Sequence, residues 1–332
     1  MLFKVLLAIL GVFVASSHAT FNASDYENNV VFYTWNSEGA HYNFTFTEES
    51  YTTFQQMCPP PANWTIISHA WQENFQKELW TDNVVQSFLN FRGGCVMFFD
   101  YDSYAKSGYF PMVTHTMEIA KILIKFFEQM ETMGYDPADA FLFGNGFSSH
   151  LFFIAAYNYS PCTIGRIDSC DAAKAKFLND SEAVHLAPKA AKNVICYHTS
   201  RAWGTHLRYC QKNINFGRCG IHQPATVPTR LTNHELCPYF YNNTFTVNFP
   251  IVPKEVVHKH YKTKCRNSTI TPNLLPGDRQ FAGPRLKTCI PNGEYYVLTE
   301  KEYPYNVPLN KSGAGEYDYY YEYDDNEEDD AE

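Results

Sequence analysis

The chain has 332 residues, 45% of them hydrophobic, enough to build one large core or a large domain with a small companion. Its formal net charge is −9, yet ten acids and no base fall in residues 316–332, so the rest of the chain is close to neutral. A near-neutral body lacks the basic face that nucleic-acid binding needs, so no nucleic-acid partner is expected.

In chain order, the opening "MLFKVLLAILGVFVASSHA" carries Lys4, an apolar run and small residues ending at Ala19. It reads as a signal peptide over 1–19, too short in its apolar run for a membrane span. No later segment is apolar enough to cross a bilayer, so a secreted, extracellular protein is expected. "NNVVFYTWN" and "YNFTF" alternate like early strands, "NWTIISHAW" and "GGCVMFFDYD" like buried ones. Residues 112–133 place Ile119, Ile122, Leu123, Phe126 and Phe127 on one face of a long helix that Gly134 stops. "ADAFLF" predicts a strand, 147–157 a helix, and "TIGRIDSCD", "KNVICYHT" and "GEYYVLTE" three further strands. Strands alternating with helices predict a mostly parallel central sheet with helices on both faces. The expected division is a leader over 1–19, one α/β domain over 20–310 and an acidic tyrosine-rich tail over 311–332.

Ten cysteines without a CxxC pair favour disulfides over zinc in a secreted chain. Pairing is not legible from sequence; Cys265 with Cys289 and Cys210 with Cys219 are the expectations. Eight N-x-S/T sequons, at Asn22, Asn43, Asn63, Asn158, Asn179, Asn242, Asn267 and Asn310, predict a glycoprotein. His198, His206 and His222 have no metal-ligand spacing, and neither metal nor cofactor is expected.

In open sheets chemistry gathers at the carboxyl ends of strands. There "AFLF" runs into Gly144, Asn145, Gly146, Phe147, Ser148 and Ser149 before an apolar helix, the strand-turn-helix on which hydrolases mount a nucleophilic serine. At the apex stands Gly146, which carries no nucleophile.

The text around this turn resembles the pancreatic-lipase family of α/β hydrolases. The family elbow G-H-S-L-G-A-H is similar to Gly144-Asn145-Gly146-Phe147-Ser148-Ser149-His150. Its I-G-R-I-T-G-L-D resembles the stretch from Ile164 to Asp171, and its V-x-V-I-H-T the stretch from Val194 to Thr199. Its C-N-H-L resembles the run from Thr232 to Leu236, with His234 at the histidine, and its V-D-W resembles Phe99-Asp100-Tyr101. Its H-G-F resembles His69-Ala70-Trp71, and its late G-x-Y-Y-L-x-T resembles the stretch from Gly293 to Thr299. The resemblance implies a disulfide-stapled α/β-hydrolase fold. It puts Asp171 and His234 at the acid and base of a catalytic triad, Gly146 at the nucleophile, and the N–H groups of Trp71 and Phe147 at an oxyanion hole. In lipases of the family a disulfide closes a lid loop over the site; both of its positions are threonine here, Thr226 and Thr232, and only Val227 to Leu231 lie between them.

The resemblance therefore implies a lipase-like protein without catalysis, similar by its lost nucleophile and acidic tyrosines to the yolk proteins of higher flies. Such a protein would store or carry a lipid or steroid, or engage an extracellular partner through its tail. Tyr317, Tyr319, Tyr320, Tyr321 and Tyr323, flanked by acids, are candidate sulfation sites. The competing reading is an active triacylglycerol lipase or phospholipase A1 with Ser148 as a displaced nucleophile.

Overall fold

The computed structural model describes residues 29–44, 47–106, 108–254 and 280–307. The leader, the tail, Cys265 and the sequons at Asn22, Asn267 and Asn310 lie outside these residues.

Among the described residues ten strands form one sheet: β1 Val31–Asn36, β2 His41–Phe44, β3 Trp64–Ser68, β4 Cys95–Asp100, β5 Ala140–Asn145, β6 Arg166–Cys170, β7 Asn193–His198, β8 Lys212–Phe216, β9 Val252–Pro253 and β10 Gly293–Val297. Their spatial order is β2-β1-β4-β3-β5-β6-β7-β8-β10-β9. From β4 to β10 every neighbouring pair is parallel. The outer pairs β1–β2, β1–β4 and β9–β10 are antiparallel. The mostly parallel sheet is as the alternation of strands and helices predicts, and the whole is the α/β-hydrolase arrangement that the family resemblance implies.

The central strands are buried on both faces, and β4 and β5 read as nearly continuous apolar runs for that reason. On one face lie α5 (Thr116–Thr132) and α6 (Phe147–Tyr159), whose Ile119, Leu123, Phe126, Leu151 and Phe152 are fully buried. The other face is covered by α2 (Leu79–Arg92) and α9 (Leu236–Asn243) through Trp80, Val84, Phe88, Phe240 and Tyr241. The other α-helices among the described residues are α1 Glu48–Met57, α3 Asp102–Ala105, α4 Tyr109–Thr114, α7 Glu182–Leu186 and α8 Thr226–Thr229.

The long helix expected over 112–133 is two. α4 ends at Thr114 and α5 begins at Thr116, with His115 at φ −96°, ψ 10° between them. The hydroxyls of Thr114 and Thr116 each donate 2.6 Å to a carbonyl three residues back, at Pro111 and Val113. Such bonds compete with the helical ladder and favour a break. Gly134 does stop α5: it takes φ +92°, and Tyr135 N–H donates back to Met130 O at 3.1 Å.

Both expected disulfide pairings are corrected. Cys210 bonds Cys196, and Cys289 is an exposed free thiol, as is Cys162. Cys58 bonds Cys95 and Cys170 bonds Cys237; Cys219 is also disulfide-bonded. Among the described sequons, Asn43, Asn63, Asn158 and Asn179 are exposed. Asn242 is half-buried, and its side chain accepts from Ser87 Oγ at 2.8 Å.

Candidate active site

β5 delivers the chain to the turn, and its neighbours hold the turn in place. Gly144 lies so close to α6 that a Cβ there would fall 2.8 Å from Ser149 N. Gly146 takes φ +56°, ψ −114° as it opens α6, a conformation that glycine adopts without steric cost. Its N–H donates to Cys170 O at 2.9 Å, and its carbonyl accepts from Ala173 N–H at 3.1 Å. The elbow and the loop after β6 are therefore one unit. Asp171 opens that loop at φ +41°, anchored by its own N–H on Tyr197 O at 2.8 Å.

The Asp171 carboxylate is fully buried and fully engaged. Oδ1 accepts from Thr199 N–H at 2.9 Å and Ser200 N–H at 3.1 Å. Oδ2 accepts from Ser200 Oγ at 2.5 Å and His234 Nδ1 at 2.7 Å. Ser200 and Gly204, absent from the sequence reading, complete this cradle. Ser200 Oγ also accepts from Gly204 N–H at 2.8 Å, and any side chain on Gly204 would run into the carboxylate. Neither residue carries a motif of its own, since each acts through a fold contact.

His234 sits three residues ahead of Cys237, and the Cys170–Cys237 bond ties that segment to the residue before Asp171. The imidazole side chain is 17% exposed. Burial pushes its pKa down, but the hydrogen bond and charge of Asp171, with Glu73 and Glu235 beyond, prevail and hold it above the ordinary 6.5. With Nδ1 on Asp171, Nε2 faces the elbow. A Cβ built on Gly146 would lie 3.2 Å from it, where a nucleophilic side chain would meet its base. Gly146 offers no such atom.

Neither adjacent serine fills the gap. Ser148 is fully buried, its hydroxyl 3.0 Å from both Ser68 O and Asn145 O. Ser149 Oγ donates to Gly144 O at 2.9 Å. Both hydroxyls face the strands that support the turn.

Across the elbow, the loop after β3 carries Ala70 and Trp71. Phe147 is the first residue of α6, so its N–H has no partner within the helix. Glu73 straps the two sides together. Its Oε2 accepts from Ala70 N–H at 2.7 Å and from Asn145 Nδ2 at 3.0 Å. Aromatic rings wall the space alongside: Trp71 meets Tyr109 edge-on at 5.5 Å, and Tyr109 meets Phe147 at 6.5 Å. Phe110, Leu178, Trp203 and Val227, on the segments around this end of the sheet, are between 56% and 76% exposed.

The other histidines singled out are not gathered into a site. His198 is buried between Thr205 O at 3.3 Å and Asn213 Oδ1 at 3.2 Å, and His206 and His222 are exposed. No cluster of three or more metal-ligating side chains occurs among the described residues.

The profile of the Lipase family matches residues 15–210, more than half of the chain. The chain belongs to the lipase family. Solved structures similar to this lipase-family chain include a dienelactone hydrolase from Anabaena variabilis, 11% identical, with a TM-score of 0.30 over 42% of this chain and 63% of that one. Est1E from Butyrivibrio proteoclasticus is 13% identical, with a TM-score of 0.30 over 44% of this chain and 72% of that one. A sugar hydrolase, YeeB, from Lactococcus lactis is 12% identical, with a TM-score of 0.31 over 43% and 64%. The chain thus spans less than two thirds of the first and third of these. No curated protein matches it.

Proposed function

We propose that this lipase-family chain is a secreted, non-catalytic protein that carries a lipid or steroid, or binds an extracellular partner, in the manner implied by its likeness to fly yolk proteins. One observation carries the reading: a charge-supported Asp171–His234 pair directs Nε2 at Gly146, 3.2 Å from where a Cβ would be, and no nucleophilic atom is there. In a serine triad the hydroxyl forms the covalent intermediate, and base and acid only assist it. Losing any member leaves a small residue of the rate.

The aromatic wall of Trp71, Tyr109 and Phe147 and the exposed Phe110, Leu178, Trp203 and Val227 supply apolar surface for a ligand or partner. Against the displaced-serine alternative stand the burial of Ser148 and the commitment of its hydroxyl to Ser68 and Asn145 carbonyls. No helix among the described residues is long and apolar enough to cross a membrane.

The test is twofold. The protein is assayed against p-nitrophenyl esters, triacylglycerol emulsion and phosphatidylcholine, beside its Ser148→Ala variant. Native material is extracted and its lipids are measured by mass spectrometry. Background hydrolysis with stoichiometric co-purifying lipid or steroid is expected; turnover abolished by Ser148→Ala would establish the alternative.

A further inference from the structure

The void over Gly146 is already occupied. A Cβ built there would come 2.8 Å from Ala70 Cβ, whereas carbon atoms normally approach no closer than about 3.5 Å. A methyl on alanine has no rotamer by which to retreat, so relief requires movement of the Ala70 backbone. That backbone is pinned at both ends. Its N–H donates to Glu73 Oε2 at 2.7 Å. Its carbonyl accepts from His69 Nδ1 at 2.8 Å, and the same imidazole takes Tyr101 N–H on Nε2 at 3.2 Å. His69 is fully buried, and its ring stacks on Tyr101 with centroids 4.1 Å apart.

The elbow is no freer to recoil. Asn145, the residue before Gly146, is fully buried and donates to the same Glu73 carboxylate, and Gly146 is bonded to Cys170 and Ala173 through its own backbone. His234, the third wall, is held by Asp171 and by the Cys170–Cys237 bond.

We propose that Ala70, clamped by Glu73 and His69, is a second lock on the nucleophile position, so that the site is closed to any side chain at position 146. The proposal rests on the reading of the chain as non-catalytic and deepens it. A serine introduced at the elbow alone collides with the Ala70 methyl, and its hydroxyl is displaced from the line to His234 Nε2. Removing the methyl opens the space, and the supports on His234 then act on a correctly placed hydroxyl.

Four full-length proteins test this: the natural protein, Ala70→Gly, Gly146→Ser, and the double variant. Each is treated with a fluorophosphonate probe and followed by intact mass. In labelling, an Oγ–P bond forms, the P–F bond breaks, fluoride leaves, and the hydroxyl proton passes to His234. The double variant is expected to label to near stoichiometry, Gly146→Ser roughly tenfold more slowly or not at all, and Ala70→Gly not at all. A second readout needs no chemistry: Gly146→Ala lowers the Tm, and Ala70→Gly in the same chain restores part of the loss. Equal labelling of Gly146→Ser and the double variant, or a folded double variant that stays unlabelled, would overturn the lock. Labelling of the natural protein would instead overturn the non-catalytic reading, and the lock would then stand or fall on the Tm comparison.

Discussion

His234 gives the clearest pH signature at the scale of single residues. Its pKa is raised in the folded chain, chiefly by Asp171 acting against burial, so the folded state binds its proton more tightly than the unfolded state does. The contribution is fully present below the unfolded value, about 6.5, and is lost as pH rises through the folded value. His234→Asn should therefore lower the Tm most near pH about 5.5 and least near pH about 9, as read by thermal melts across that range. His150 acts with the opposite sign. It is fully buried and its pKa is pushed down to about 4 by that burial, so its contribution is present above about 6.5 and fades as pH falls from there toward about 4. Gly204 offers a second test, since a methyl there enters the Asp171 carboxylate. Gly204→Ala should cost on the order of 3 kcal/mol in urea unfolding and should abolish the pH-dependent gap between the natural protein and His234→Asn.

The scale of elements explains what holds the site rigid. β6 carries Arg166 and Asp168, bonded to each other at 2.7 and 2.8 Å. Asp168 also accepts from Tyr197 of β7 at 3.0 Å and Tyr241 of α9 at 2.7 Å. Arg166 reaches the carbonyls of Gly283, Pro284 and Leu286. Asp168→Asn leaves a buried guanidinium without its counter-charge and should cost about 3–5 kcal/mol, measured by chemical denaturation. The Cys170–Cys237 bond closes a separation of 67 residues. Replacing both cysteines by serine should remove up to about 4 kcal/mol and loosen His234 from Asp171, visible as loss of the raised imidazole pKa by NMR. β4 and β5 were legible as buried apolar runs, and β6, with its buried Arg166, Asp168 and Ser169, stood out only beside them and through its family-like text. The sequence did not announce β8, whose buried Lys212, Asn213 and Asn215 break that pattern, nor the pairing of any cysteine. α2 carries a buried stripe at Trp80, Val84, Val85 and Phe88 and was not among the expected elements. The break at His115 depends on hydroxyl-to-carbonyl bonds that no apolar periodicity encodes.

For the whole molecule, a lipase-family sheet brings together segments far apart in the chain, which is why the site was only partly legible. Ordered family-like signatures named Gly146, Asp171 and His234. Ser200, Gly204 and the Ala70–Gly146 contact emerge only when β3, β5, β7 and the segment before α9 meet at one end of the sheet. The same assembly places exposed apolar side chains on segments around the Gly146 elbow, the surface on which the proposed ligand would sit. The central claim is tested most directly by intact mass spectrometry of the natural, full-length protein after saturating fluorophosphonate treatment. The account predicts an unchanged mass. A shift of one probe per chain, lost in Ser148→Ala, would contradict it.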